Sequence, residues 1–429
     1  MRIEFIQNFI DFCRGKKKCH KITPDEIKRI HKNYKKNILK LSKKIYNQKK
    51  IKVGFLVVFD GVFTAKNLYQ LMKNDDIFEP YIIVIPYIAK GDDYMSRQLT
   101  QTYELLKSKY DNVFLSYSEE NKKFIDFSGN IDIACFCNPY DDATMEIYSM
   151  KYYAKKGKMP FYFTYGYSIS KWSENMFNNL EYTLWWKYYV ENQFTIDTLK
   201  QNSFNTNNFI LSGYIKMDNL AYINKIQRER KKIIIAPHHT ILAWENGVNL
   251  GTFLDFADFY LMLFSKYPDI DFVFRPHSLL PVTLERDDVW GKKKTDEYFN
   301  KLQSFPNVEY QQGGDYLESF VNSDALIHDC GSFMAEYLFT ENPACYIIKD
   351  KQKTKENFNA FGLQCLEQHY QAFSEEDIIN FIENTVLKNN DPMKKERQNF
   401  AENVLKINYP NVTTFILNDL RKAISCSKY

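Results

Sequence analysis

The chain has 429 residues, 45% hydrophobic and 26% charged, with only 15 glycines; this suffices for two or three globular domains and excludes collagen-like or low-complexity architectures. The net charge of +4 is uneven, because residues 1–52 hold 17 Lys/Arg against 4 Asp/Glu while the remainder holds 40 against 49. No apolar run reaches the ~20 residues of a spanning helix, and the 8 cysteines include no CxxC pair, so neither a zinc framework nor a disulfide scaffold is expected and a reducing cytosol fits.

Residues 1–50 read as a basic helical extension. Glu4 and Asp11 interrupt its first apolar residues and Lys16-Lys17-Lys18 follow them, the reverse of a signal-peptide order. Thr23-Pro24-Asp25-Glu26 has the form of a capping box with proline at the first helical position. Ile27, Ile30, Tyr34, Ile38, Leu41 and Ile45 then recur at alternating spacings of three and four, one apolar stripe with lysines on the other faces. The stripe suits packing on the body of the protein; the lysines, with Phe5, Phe9 and Phe12 ahead of them, suit contact with an anionic membrane surface.

At residue 51 the period changes. Val53–Phe59 is a continuous apolar run fit for a parallel strand covered on both faces, broken by Asp60-Gly61 and followed by a helix over 64–74. Further strands are expected at 81–86, 131–136 and 161–165. This alternation describes a doubly wound α/β domain over 51–220. After a crossover near Gly213–Asp218 the pattern restarts: strands at 232–236, 272–275, 308–310, 325–328 and 344–348, with helices at 253–267 and 332–338, form a second such domain over 221–429.

The second domain's strand ends carry the polar residues that point to chemistry. Ala325–His328 runs through Asp329-Cys330-Gly331 into a helix start at Ser332. Free N–H groups there attract an anion, Gly331 admits a phosphate to the backbone, and Glu336 lies one turn further on. Arg275 and His277 flank a strand-ending proline; a guanidinium there can grip phosphate and an imidazole can stabilise charge on a leaving group. His238 and His239 follow Pro237 in the same way. With His328, four histidines end strands in one domain, which points to a shared site. No Glu or Cys stands at helical ligand spacing from them, so no metal and no cofactor is expected. Basic residues concentrate in one helix pair without a recognition motif, which argues against nucleic acid.

Gly213-Tyr214-Ile215-Lys216-Met217-Asp218, Ala236-Pro237, Arg275-Pro276-His277 and Asp329 through Glu336, with Tyr337 and Pro343, together resemble the CDP-glycerol glycerophosphotransferase family of teichoic-acid primases and polymerases. The resemblance spans roughly residues 50–400. It implies a glycosyltransferase-B fold: two Rossmann-like domains facing a cleft, the first for the acceptor and the second for a CDP-linked donor. It implies transfer of a phosphoalditol to a cell-surface polysaccharide or lipid-linked glycan; the cysteine usage and the basic block over 1–52 would place such an enzyme in the cytoplasm, peripheral on the inner membrane face. Arg275, Asp329, Gly331, Ser332, Glu336 and Lys216 would hold nucleotide and phosphate, and His277 would stabilise charge. The chain departs from the family in having Tyr165-Gly166 for His-Gly, Gly331-Ser332 for Ser-Ser and Ala236-Pro237-His238 for Ala-Pro-Thr, the marks of a diverged branch. Tyrosine, with an ordinary pKa of about 10, is a poor base at neutral pH, so His238, His239 or Asp60 stands as the base. A glycosyltransferase of the same fold, using a CMP-, UDP- or GDP-sugar for capsule or lipopolysaccharide, is the alternative. A non-catalytic scaffold would have no need of the histidines.

Overall fold

The computed structural model describes residues 22–118, 120–138, 141–177, 180–201, 206–242 and 250–425. The capping box forms as the sequence predicts: the Thr23 side chain accepts from Glu26 N–H, and the Glu26 carboxylate accepts from Thr23 N–H, at the start of helix α1 (Pro24–Tyr46). Ile30, Tyr34 and Leu41 are buried, and Ile27, Ile38 and Ile45 pack against the same core. Tyr34 donates its hydroxyl to the Leu184 carbonyl at 2.7 Å. The apolar stripe of α1 is therefore core, and only the lysine faces meet water. Segment 1–21, with Lys16–Lys18 and the three phenylalanines, lies outside the described residues.

The first lobe is built on a parallel sheet of seven strands: β1 (Ile51–Val57), β2 (Phe78–Val84), β3 (Val113–Leu115), β4 (Ile133–Phe136), β5 (Met159–Phe163), β6 (Lys187–Val190) and β7 (Phe209–Leu211), in the order β3-β2-β1-β4-β5-β6-β7. Apart from Lys52, every residue of β1 is buried, as a central strand covered by helices on both faces requires. The second lobe has six parallel strands, β8 (Lys232–Ala236), β9 (Asp271–Phe274), β10 (Val308–Tyr310), β11 (Ala325–His328), β12 (Ala344–Ile347) and β13 (Tyr370–Ala372), in the order β10-β9-β8-β11-β12-β13. Both orders reverse beside their first strand, and in such sheets ligands sit outside the carboxyl ends of the strands near that reversal.

The chain passes between the lobes at Gly213, whose φ is +84° and where a Cβ would stand 2.0 Å from the Ile407 carbonyl oxygen, so only glycine fits. The crossover continues through Ile215–Tyr222. Asp218 there accepts from the N–H groups of Val412 (3.1 Å) and Thr413 (2.7 Å) and from the Thr413 hydroxyl (2.7 Å). It thereby caps the helix Val412–Ser425. That helix falls within the stretch expected to form the second domain, yet Val412, Ile416, Leu417, Leu420 and Ile424 pack into the first lobe's core. Its polar side is tied there by Lys187 to Asp419 at 2.6 Å and by the ion pair of Arg421 with Asp75. Replacing Asp218 by Ala removes the cap and leaves two buried N–H groups unpaired. We expect a loss of about 2 kcal/mol in denaturant unfolding; a change within about 0.5 kcal/mol, the usual range of a surface substitution, would show that the clamp is incidental.

Candidate active site

Strands β8, β9 and β11 are neighbours at the centre of the second sheet, so the segments leaving their carboxyl ends meet. Two backbone bonds continue the ladder past the prolines: Arg275 N–H donates to the Ile235 carbonyl at 2.8 Å and His277 N–H to the Pro237 carbonyl at 2.9 Å. The result is a cluster of three imidazoles. Ring centroids are 4.5 Å apart for His238 and His239, 4.2 Å for His239 and His277, and 5.0 Å for His238 and His277. One nitrogen from each ring lies within 4.8 Å of the other two.

Burial holds all three rings neutral. His239 and His277 are pushed down to about 4, by burial and, for His277, by His239 beside it; His238 is driven well below its ordinary value by burial and then by the other two rings. The His277 Nδ1 accepts the Leu279 N–H at 3.2 Å, which places that neutral ring's proton on Nε2. His238 Nδ1 lies 2.8 Å from the Thr240 hydroxyl.

Asp329 lies beneath the cluster and takes a different part from the phosphate contact expected of it. Its buried carboxylate accepts His238 N–H (2.5 Å), Thr252 N–H (2.5 Å) and the Thr252 hydroxyl (2.8 Å). Burial raises its pKa to about 6, and those hydrogen bonds limit the rise. It positions the histidine loop, and a negative group so placed repels phosphate. Arg275 is likewise engaged: its guanidinium donates to Gln311 Oε1 (2.9 Å) and to the Gly313 (2.6 Å) and Gly314 (2.7 Å) carbonyls. Those carbonyls are presented by two consecutive glycines with φ of +68° and +71°. Arg275 thus braces the loop after β10.

Ser332 is exposed and makes no capping bond, and the helix after it is one turn long, Phe333–Glu336, continuing as a 3-10 turn over Tyr337–Thr340. The helix expected over 332–338 thus forms as four α-helical residues running directly into a 3-10 turn, a short α-helical stretch over which few peptide dipoles align at Ser332. Gly331 packs close to Ile169 of the first lobe, 3.3 Å from a built Cβ. Glu336 is buried and accepts the Tyr316 hydroxyl; burial raises its pKa while Lys216 draws it back. The Lys216 ammonium stands 3.9 Å over the Tyr316 ring, with no ion pair or hydrogen bond of its own among the described residues, its pKa lowered by burial.

Two expected residues stay apart from the cluster. His328 is buried between Tyr346 and His369, at centroid distances of 5.0 and 5.2 Å, and neither ring nitrogen has a hydrogen-bond partner among the described residues. Asp60 opens the 3-10 turn that follows β1 in the other lobe, 3.7 Å from Lys109. Sequence reasoning passed over the junction between lobes: Lys66 pairs with Asp315 at 3.1 Å, Asn67 donates to Asn219 at 2.7 Å, and Tyr167 stacks on Phe361 at 5.6 Å. The aromatic density of 164–167 was the available signal.

No family model matches the chain, and no curated protein matches its sequence. Solved structures do match in shape. A variant of the wall teichoic acid polymerase TagF superposes with TM-score 0.57 at 13% identity, covering 99% of this chain and 98% of that one. The UDP-GlcNAc 2-epimerase of Neisseria meningitidis, bound to UDP-GlcNAc, gives 0.54 at 14% identity over 87% and 100%. A UDP co-structure of S. aureus MnaA gives 0.53 at 12% identity over 88% and 97%. This is the glycosyltransferase-B fold.

Since His239 and His277 fall to about 4 from an ordinary 6.5, the stability their neutral forms contribute is complete above pH 6.5 and is lost as pH falls toward 4. Carbon NMR of labelled histidine should show these rings and His238 neutral from pH 8 to pH 5.5. A midpoint near 6.5 for any of the three would contradict the burial.

Proposed function

We propose that the protein is a transferase that takes a phosphoalditol from a CDP-linked donor and delivers it to a glycan or lipid-linked acceptor of the cell envelope. The observation that carries this reading is the three-histidine cluster at the carboxyl ends of the central strands of the second sheet, where doubly wound folds hold their ligands. Two comparisons support it: TagF was solved after soaking with CDPG, and the epimerase with UDP-GlcNAc.

The second lobe takes the donor and the first takes the acceptor. Lys216 supplies positive charge to the diphosphate, and the proton on His277 Nε2 is a donor for a phosphate oxygen. An acceptor hydroxyl attacks the β-phosphorus, a P–O bond forms, the bond to the bridging oxygen breaks, and CMP leaves with that electron pair. The hydroxyl proton passes to His238, His239 or Asp60, of which the two histidines are unprotonated at neutral pH and so free to accept it. A sugar transferase on the same scaffold differs in the donor, so the nucleotide decides. Thermal unfolding with CDP, CMP, UDP and GDP should single out the cytidine nucleotides, since a ligand at 100 times its Kd adds ~2.7 kcal/mol to the native state. Lys216→Ala should weaken that binding about ten- to a hundred-fold, the worth of a charged hydrogen bond. Selective stabilisation by UDP or GDP would favour the sugar-nucleotide alternative.

The outward face of α1 supports a reading of location. Lys32, Lys35, Lys36, Lys40 and Lys43 are exposed there beside Leu39, 58% exposed, and none has an ion-pair partner among the described residues. No helix of the described residues is long and apolar enough to cross a membrane. We propose that this face meets an anionic lipid surface, each lysine contributing about 1 kcal/mol. The intact protein should float with anionic vesicles at low salt. Changing Lys32, Lys35, Lys36 and Lys40 to Glu should abolish flotation, and equal flotation of both proteins would leave the face a solvated one.

A further inference from the structure

The expectation of no metal rested on ligand spacing along the chain, whereas the fold gathers three imidazoles from the ends of two neighbouring strands. Arg275 is engaged by Gln311, Gly313 and Gly314, and the helix after Gly331 is a single turn. Of the two cationic side chains assigned to the donor site, Lys216 alone remains to face a diphosphate. Beside that shortfall stands a set of nitrogen ligands. His238, His239 and His277 bring one ring nitrogen each within 4.8 Å of the others, on loops pinned by strand-end hydrogen bonds and by the Asp329 carboxylate.

We propose that His238, His239 and His277 form a binding site for one divalent transition-metal ion of the zinc class, with an open coordination position turned to the donor phosphates. Three imidazoles with an open fourth position are a common ligand set of catalytic zinc, and imidazole suits zinc, cobalt and nickel better than magnesium or calcium, which take oxygen. The surroundings of His238 fit. Its Nδ1 meets the Thr240 hydroxyl at 2.8 Å, and that oxygen also accepts Leu250 N–H at 3.0 Å; an Nδ1–H donated to such an acceptor orients a ring for ligation through Nε2. His277 is the ligand that adjusts. Its Nδ1 accepts the Leu279 N–H, and coordination through Nε2 requires a proton on Nδ1, so that contact opens on binding. An ion held there would act as a Lewis acid toward the phosphate oxygens; with their nitrogens coordinated, the three rings would serve as ligands rather than as proton donor or base, and Asp60 would be left to take the hydroxyl proton.

The site itself is independent of the donor assignment; its orientation toward phosphate rests on the function proposed above. The test uses the full chain stripped with EDTA and titrated with cobalt or zinc chloride alone, followed by calorimetry and by the visible spectrum of cobalt. One equivalent should bind per chain with the intense absorption of a low-coordinate nitrogen site. His239→Gln and His277→Gln should each weaken binding at least tenfold with unchanged circular dichroism. His31→Gln, in the first lobe, should not alter it. No stoichiometric uptake, the spectrum of hydrated cobalt, or wild-type affinity in both cluster variants would overturn the proposal. Nucleotide binding is then measured with and without the metal. Failure of every nucleotide to bind in either state would count against the donor reading and leave the metal result standing, whereas nucleotide binding unaffected by a bound metal would remove the phosphate-facing orientation.

Discussion

A buried carboxylate governs the arrangement of the second lobe's cleft. Asp329 directly follows β11, and its two oxygens reach sideways to the amide of His238 after β8 and to the amide and hydroxyl of Thr252 at the start of the helix Phe253–Lys266. A carboxylate removed from water is costly unless such donors surround it, and here they come from two other segments of chain. The requirement works in both directions. The donors keep Asp329 tolerable in the interior, and Asp329 fixes the loop on which two of the three clustered histidines stand. Cys330 adds a further tie, its thiol lying 3.1 Å from the Ala236 carbonyl. The imidazoles therefore rest on a rigid strand-end scaffold, which is the condition for a preorganised site.

Much of the fold was readable because the central strands are apolar on both faces. The runs at 53–59, 232–236 and 325–328 needed no tertiary information to be recognised. Val113–Leu115, Phe209–Leu211 and Tyr370–Ala372 escaped notice as edge strands of three residues, a length at which periodicity barely separates strand from loop, although the equally short Val308–Tyr310 was expected. Lys187–Val190 follows two tryptophans and carries two tyrosines, a composition that does not announce a strand. The return of Val412–Ser425 to the first lobe depends on Asp218 and on a close approach at Gly213, both contacts of high sequence separation.

The site divides in the same way. Proline after a buried strand marked His238, His239 and His277 correctly as neighbours. The fate of Arg275 could not be read, since it depends on the carbonyl directions of Gly313 and Gly314, which follow from positive φ values. His328 was misplaced for a reason of parity. Successive strand residues face opposite sides: Leu326 packs in one core and Ile327 in another, so His328 shares the side of Leu326 and points into the protein.

The capped helix at Val412–Ser425 has a consequence for how the protein is made. It supplies part of the hydrophobic cover of a sheet whose last strand ends at Leu211, so about 200 residues of chain must be synthesised before that sheet can be fully clothed. Domains ordinarily mature in the order of synthesis. Here the later-encoded lobe is contiguous and can close first, while the earlier one waits with an apolar flank uncovered. The first lobe is thus the aggregation-exposed partner during translation, and its completion reports that the whole span between the two crossings has been threaded correctly.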